Sequence, residues 1–156
     1  MLVSPRRVLW PTDFSELSDH AGDYAVGLRE VFGSELHIIH VVPPPTSPDV
    51  SVGLAAGVAL GTVERETLQA STMELTRIAR DKCGVHDVKT KAFVGLAWRG
   101  ICQYAEDHQI DMIVIATHGR SGIGHMLLGS NAERVVQHAP CPVMVIKHPE
   151  QECLIE

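Results

Sequence analysis

Short apolar runs rich in β-branched residues alternate along this chain with stretches whose apolar positions recur every three to four residues. Val8, Leu9 and Trp10 mark a first strand over 7–11, followed by a polar turn at 12–15. Ala21, Tyr24, Ala25, Leu28, Val31 and Phe32 then recur at helical spacing, which predicts a helix over 17–32 with one apolar face. Gly33 is placed to end it. A second strand is predicted over 36–42 (LHIIHVV). Pro43, Pro44, Pro45 and Pro48 interrupt regular structure after it, and the Gly-, Ala-, Pro- and Ser-rich stretch over about 43–61 reads as a flexible insertion rather than a linker. A long helix is expected over 62–83, with Leu68, Leu75, Ile78 and Ala79 inward and Gly84 as its stop. A third strand is expected over 87–94, and a helix over 98–108 with Ile101, Cys102 and Ala105 inward. The fourth strand, 112–116 (MIVIA), is almost wholly apolar, as suits a central parallel strand covered on both faces. A Gly-rich loop over 117–129, a short helix over 130–138 and a fifth strand over 143–146 complete the pattern.

This βαβαβαβαβ order predicts an α/β fold: one doubly wound, open, parallel five-stranded sheet with helices on both faces. The 156 residues fit a single domain over 1–156, and 45 % apolar residues supply its core. Such sheets bind ligands beyond the C-terminal ends of their strands, where the strand order reverses. The candidate loops are therefore 11–15, 41–45 and 117–130.

Charge and composition narrow the partners. A net charge of −6 argues against general nucleic-acid binding, which needs a basic face, and against attraction to an anionic membrane. No apolar segment reaches the roughly 18–20 residues of a membrane span, and no signal core follows Arg6 and Arg7. A cytoplasmic location is expected. Cys83, Cys102, Cys141 and Cys153 form no C-x-x-C pair, so idle thiols in a reducing compartment are expected. His37 and His40 lie three apart in a strand, which points them to opposite faces and away from a shared metal.

Two loops carry candidate chemistry. In Pro11-Thr12-Asp13-Phe14-Ser15, Asp13 could accept a bond from a ribose hydroxyl or a base amine, or Asp13 or Ser15 could merely cap the first helix. In the loop from Ala116 to Ser130, Gly119 permits close backbone approach, Arg120 adds a positive charge, and Gly129-Ser130 at a helix start suits a phosphate or an ordinary cap. The loop lacks the Gly-Lys-Ser/Thr ending of a P-loop, and it follows strand four, not the first strand of a Rossmann unit. His118 and His125 flank the glycines and could touch phosphates, although a solvated loop histidine is the commoner case.

Taken together, Pro-Thr-Asp-Phe-Ser after strand one, His-Val-Val ending strand two, and Thr-His-Gly-Arg-Ser-Gly, Leu-Leu-Gly-Ser and Pro-Cys-Pro-Val near the end resemble the universal stress proteins, over about residues 7–147. The resemblance implies the strand order 3-2-1-4-5. It also implies adenine-nucleotide binding (ATP, or AMP or ADP) through a G-x-x-G, nine-residue, G-[S/T] motif. Gly119, the nine residues 120–128 and Gly129-Ser130 match that motif, whereas Ala116 stands where its first glycine would be. By that match Pro11, Thr12, Asp13 and Val41 would hold the adenosine. Ile115, Ala116, Gly119 and Arg120 would line the ribose and first phosphate, and Gly129, Ser130, Asn131 and Ala132 would bind the phosphate chain. A magnesium ion, where bound, would sit on the phosphates with few protein ligands. The resemblance further implies a homodimer through the last strand, Val143 to Ile146.

The expected function is that of a nucleotide-binding, stress-responsive regulator and not an enzyme, since no nucleophile with a paired base is evident. Two alternatives stand beside it. One is a dimerisation module that binds no nucleotide, which Ala116 in place of the motif's first glycine leaves open. The other is a slow ATPase, with Asp13 and His118 as its acid–base groups.

Overall fold

The computed structural model describes residues 4–44, 53–84, 87–117 and 128–147, with residues 53–60 described in their backbone alone. Five strands and four helices alternate: β1 (Arg7–Pro11), α1 (Glu16–Phe32), β2 (Glu35–Val42), α2 (Gly53–Cys83), β3 (Val88–Val94), α3 (Ala97–Asp107), β4 (Met112–Ala116), α4 (Ser130–His138) and β5 (Val143–Ile146). The strands form one parallel sheet in the order β3-β2-β1-β4-β5. The chain order reverses between β1 and β4, because β2 and β3 lie on one side of β1 and β4 and β5 on the other. No helix among the described residues is long and apolar enough to cross a membrane.

Side-chain alternation in the strands divides the core into two layers. Val8, Trp10, Leu36, Ile38, Val114, Ala116 and Ile146 pack with Ala21 and Ala25 of α1 and Leu75 and Ile78 of α2. Leu9, Ile39, Val41, Ile113 and Ile115 face the other way, onto Ile101, Tyr104 and Ala105 of α3 and Ala132 and Val135 of α4. β4 is buried at four of its five positions, as its unbroken apolar run requires.

Three sequence expectations need correction. The face of α1 that meets the sheet is Ser18, Ala21, Gly22 and Ala25, whereas Tyr24, Val31 and Phe32 are 48 %, 76 % and 45 % exposed. Small residues are needed there because the fully buried Trp10 ring fills the gap: a Cβ on Gly22 would collide with the indole. The indole Nε1–H donates to the Ser18 carbonyl at 3.0 Å, which fixes the helix against the strand. Second, α2 begins at Gly53 rather than at 62. Leu54, Ala55, Ala56, Ala59 and Leu60 are good helix formers, and they carry the helix through Gly57 and Gly61. The expected insertion over about 43–61 thus overlaps a helix, and its residues 45–52 lie outside the described residues. Third, Leu68 is only half-buried, whereas Leu75 is fully buried.

The termini of α1 follow local rules. Ser15 is the N-cap, its Oγ accepting the Ser18 N–H at 3.2 Å. Gly33 closes the helix in the left-handed conformation at φ 69° and donates its N–H to the Arg29 carbonyl at 2.8 Å.

Candidate functional site

The ladder between β1 and β4 ends at Leu9↔Ile113, while β1 stays paired to β2 as far as Pro11↔Ile39 and β4 to β5 as far as Ala116↔Ile146. The two central strands therefore part at their C-terminal ends, at the point where the strand order reverses. A crevice at this place is where open α/β sheets hold ligands. Because β1 and β4 are neighbours in the sheet, the topology makes the Thr12–Ser15 turn one wall of such a crevice and the corner between β4 and α4 the other.

The first wall is held by its own side chains. The Thr12 N–H donates to the Ile39 carbonyl at 2.9 Å, continuing the sheet by one residue. Thr12 is 6 % exposed, and its Oγ1 accepts the Phe14 N–H at 3.0 Å and the Ser18 hydroxyl at 3.0 Å. Asp13 Oδ1 accepts the Ser15 N–H at 3.0 Å and the Ser15 hydroxyl at 2.5 Å. Of the two roles open to Asp13 and Ser15 from sequence, the capping one is thus occupied by Ser15, and Asp13 braces that cap. Phe14 lies in the left-handed region at φ 64°, a conformation that costs a bulky L-residue about 1–2 kcal/mol. Its ring stacks on His40 of β2, centroids 4.3 Å apart, and His40 Nδ1 lies 2.7 Å from the Thr12 carbonyl oxygen.

The second wall is built from backbone. Gly129 is the N-cap of α4, with no side chain bonded across the helix start. Its φ of −70° suits any residue, so the conformation does not require a glycine. The Gly129 carbonyl accepts the Glu133 N–H at 2.9 Å. The N–H groups of Ser130, Asn131 and Ala132 precede the first helical bond and have no acceptor within the helix. The Gly129 N–H donates to the Thr117 carbonyl at 2.6 Å, and the Thr117 N–H donates to the Ile146 carbonyl at 2.9 Å. Thr117 is 1 % exposed, and its Oγ1 has no hydrogen-bond partner among the described residues. A buried hydroxyl left unpaired costs about 1–3 kcal/mol. The partial positive charge of a bare helix start beside it favours an anion.

Of the site residues expected from sequence, two lie outside the described residues, and the others lie at the C-terminal ends of β1, β2 and β4, in the turn after β1 and at the start of α4. Pro11, Thr12 and Asp13 form the strand exit and turn. Val41 lies at the end of β2, 8 % exposed, with its side chain in the layer beneath α3 and α4. Ile115 shares that layer, whereas Ala116 points its methyl into the opposite layer, with Trp10 and Ile146. The extra methyl at the motif's first glycine position is therefore taken up by the core under α1, on the other face of the sheet from α4. Gly129, Ser130, Asn131 and Ala132 start α4. Gly119 and Arg120, with His118 and His125, lie outside the described residues.

His40 braces the first wall from β2 and Thr117 lies in the second, and neither is among the sequence candidates. His40 carried a usable signal, because period-two alternation puts it on the same face as Trp10 and Ile38, where a polar side chain needs a partner. Thr117 carried none: a threonine after a strand looks the same whether or not its hydroxyl is paired. His37, as expected, faces away from His40; its Nδ1 lies 2.9 Å from the Tyr104 hydroxyl and its Nε2 2.6 Å from Glu35 Oε1. The described cysteines are free and half-buried. Burial raises the Cys141 thiol to about 11 and pushes those of Cys83 and Cys102 up as well, so none is a ready nucleophile.

Comparison with known proteins agrees with this architecture. The universal stress protein family model matches residues 5–147. Universal stress protein MJ0531 of Methanocaldococcus jannaschii is 34 % identical over 152 residues, covering 94 % of this chain and 85 % of that protein. Among solved structures, universal stress protein UspA from Lactobacillus plantarum superposes with a TM-score of 0.73 at 25 % identity, covering 93 % of this chain and 99 % of that one. The universal stress protein from Archaeoglobus fulgidus in complex with dAMP superposes with a TM-score of 0.55 at 19 % identity, covering 94 % and 100 %. This chain belongs to the universal stress protein family.

Proposed function

We propose that the protein binds an adenine nucleotide in the crevice between the Thr12–Ser15 turn and the start of α4, and that occupancy regulates it as a cytoplasmic homodimer. The observation that carries this reading is the buried Thr117, whose hydroxyl has no partner among the described residues and whose carbonyl accepts the N–H of Gly129, the residue that opens α4. The phosphates would accept from the N–H groups of Ser130, Asn131 and Ala132 and from the Ser130 hydroxyl. Pro11, Thr12, Asp13 and Val41 would hold the adenosine, and Ile115 and Ala116 the floor between them. Gly119 and Arg120 belong to this proposal on the motif alone. The phosphates would bring any magnesium with them, since the donors of the α4 corner suit an anion and not a cation. The placement of the Ala116 methyl under α1 supports a nucleotide site over a non-binding module, and the dAMP complex of a protein of the same fold is in keeping with it.

The proposed dimer would use β5. The two sheet edges differ: β3 carries exposed Lys89 and Lys91, charges that deter edge pairing, whereas β5 reads Val-Met-Val-Ile.

Titration calorimetry with ATP, ADP and AMP, each with and without magnesium, tests the nucleotide site. Saturable binding to the wild type that weakens more than about tenfold in Gly129→Val is expected. No heat with any nucleotide, together with no adenine compound released on denaturing freshly purified protein, overturns the reading. ADP release above a heat-killed control would instead indicate a hydrolase. Light scattering tests the dimer, and Val145→Lys is expected to yield monomers.

A further inference from the structure

His40 sits outside the residues that would touch a nucleotide, yet it contacts the strained turn from two directions. A carbonyl oxygen can only accept, so the 2.7 Å contact with Thr12 requires the proton on His40 Nδ1. The same ring lies against Phe14, 4.3 Å between centroids with 28° between planes. The turn thus has its entry held by a hydrogen bond and its left-handed residue held by a ring face, both from one side chain on the neighbouring strand. The Ile39 carbonyl, one residue earlier on β2, holds the Thr12 N–H. Both polar groups of the Thr12 peptide backbone are therefore fastened to β2, and the half-buried His40 supplies the only one of those two bonds that a side-chain substitution can remove.

We propose that His40 is the positioning residue of the nucleotide site, locking the Thr12–Ser15 turn in the shape that presents Thr12 and Asp13 to the adenosine; this rests on the nucleotide-binding reading above. Left-handed Phe14 has a strong tendency to relax, and sparsely populated backbone conformations persist only where surrounding contacts over-determine them. The clamp has two separable halves. His40→Asn keeps an N–H donor at the same distance along the side chain but removes the ring. His40→Phe keeps a ring for Phe14 but removes the donor.

Two measurements on the intact protein test the clamp and its consequence separately. The first is hydrogen exchange of the Phe14 and Ser15 amides, which bond to Thr12 Oγ1 and Asp13 Oδ1, in protein without nucleotide. Exchange at least tenfold faster in His40→Phe and His40→Ala than in the wild type is expected, with β1 amides unchanged and His40→Asn in between. Unchanged exchange at Phe14 and Ser15 overturns the clamp whether or not any nucleotide binds. The second is calorimetric affinity for the adenine nucleotide that the wild type binds best. A loss of about tenfold in His40→Phe, about threefold in His40→Asn and the largest loss in His40→Ala is expected, with melting temperatures within a few degrees of the wild type. Faster exchange with unaltered affinity, or lower melting temperature with unaltered affinity, would leave His40 a purely structural residue and overturn the proposal. Absence of nucleotide binding by the wild type defeats the functional reading and the ligand half of this one, while the exchange result alone decides the clamp.

Discussion

The two walls of the crevice are built on opposite principles. The Thr12–Ser15 turn satisfies itself: Thr12, Asp13, Ser15, Ser18 and His40 exchange hydrogen bonds, and these hold Phe14 in a conformation it would otherwise leave. The β4–α4 corner leaves polar groups unspent: among the described residues, Thr117 Oγ1 has no partner and no side chain caps α4. A wall made of internal bonds is pre-organised and gives shape, which suits a neutral nucleoside. A wall of unsatisfied donors is destabilised without an anion and gains most when one arrives, which suits phosphate. The difference predicts opposite responses to removing polar groups on the two sides.

The largest effect should come from undermining the first wall at its seat. Ser18 ties the turn to the Trp10 indole, and one helical turn on, Gly22 lies against the same ring. Replacing an interior helical glycine by alanine ordinarily stabilises by about 0.5–1 kcal/mol. Here the added methyl strikes a fully buried ring, and overpacking of that kind costs about 1–3 kcal/mol or more. Gly22→Ala is therefore expected to lose about 2 kcal/mol net in denaturant unfolding and to weaken nucleotide binding through the displaced turn. A neutral or positive change would show that α1 does not hold the turn in place.

Within the turn itself, Asp13→Ala removes an acceptor used by both the Ser15 amide and its hydroxyl. Bonds to a charged acceptor contribute about 1.5–3 kcal/mol when buried, less at a half-buried site. A loss of about 1–2 kcal/mol in stability, with at least a tenfold loss in affinity, is expected. If stability fell and affinity held, Asp13 would be a helix brace and nothing more.

Thr117→Val should reverse the sign. Valine keeps the shape and discards a hydroxyl that has no partner among the described residues, so the free protein is expected to gain about 1 kcal/mol. Affinity for the nucleotide is expected to fall about tenfold in the same variant. Thermal melts with and without ATP check both at once: the variant should melt higher alone and show a smaller shift with ligand. Destabilisation of the free protein would mean that the hydroxyl already has a partner, and the contrast between the walls would fail.

Much of this was legible in the chain. Unbroken apolar runs such as Met112 to Ala116 locate the strands because burial on both faces leaves little room for polar residues. The family motifs place Pro11, Thr12, Asp13 and Gly129–Ala132 on the two walls. What was not legible depends on partners distant in sequence. The inner face of α1 is hidden from the sequence because hydropathy weights Tyr24, Val31 and Phe32, while the contact with the sheet is made by Ser18, Ala21, Gly22 and Ala25, where Trp10 leaves no room even for a Cβ on Gly22. The start of α2 is masked in the sequence by Gly53, Gly57 and Gly61, which signal a loop more strongly than the alanines and leucines between them signal a helix. Thr117 and His40 gain their roles from a missing bond and a two-sided contact, neither of which is a property of spacing.

The smallest effect is expected from a cluster outside the crevice. Burial lowers the pKa of His37, against the opposing pull of its Glu35 hydrogen bond, and the bonds from His37 and Lys89 lower that of Glu35. These groups lie at the start of β2, the opposite end from His40 and Val41. His37 binds its proton more weakly when folded, so its contribution is whole above its unfolded value of 6.5 and is lost as pH falls below that, down to the folded value. Glu35 acts in the same direction lower down: its contribution is whole above 4.5 and is lost as pH falls through the folded value. Acidification from pH 7 should therefore destabilise the protein, with a slope for the His37 proton of no more than about 1.4 kcal/mol per pH unit. His37→Gln should remove the part of that slope that begins near 6.5. Because the cluster is remote from both walls, the ratio of nucleotide affinities between His37→Gln and wild type should stay constant from pH 7 to 5.5 while their stabilities converge. Comparing the two proteins at each pH cancels the titration of the phosphates themselves. A drifting ratio would mean that the acid-sensitive end of β2 is coupled to the crevice, and that the turn is not held by its local contacts alone.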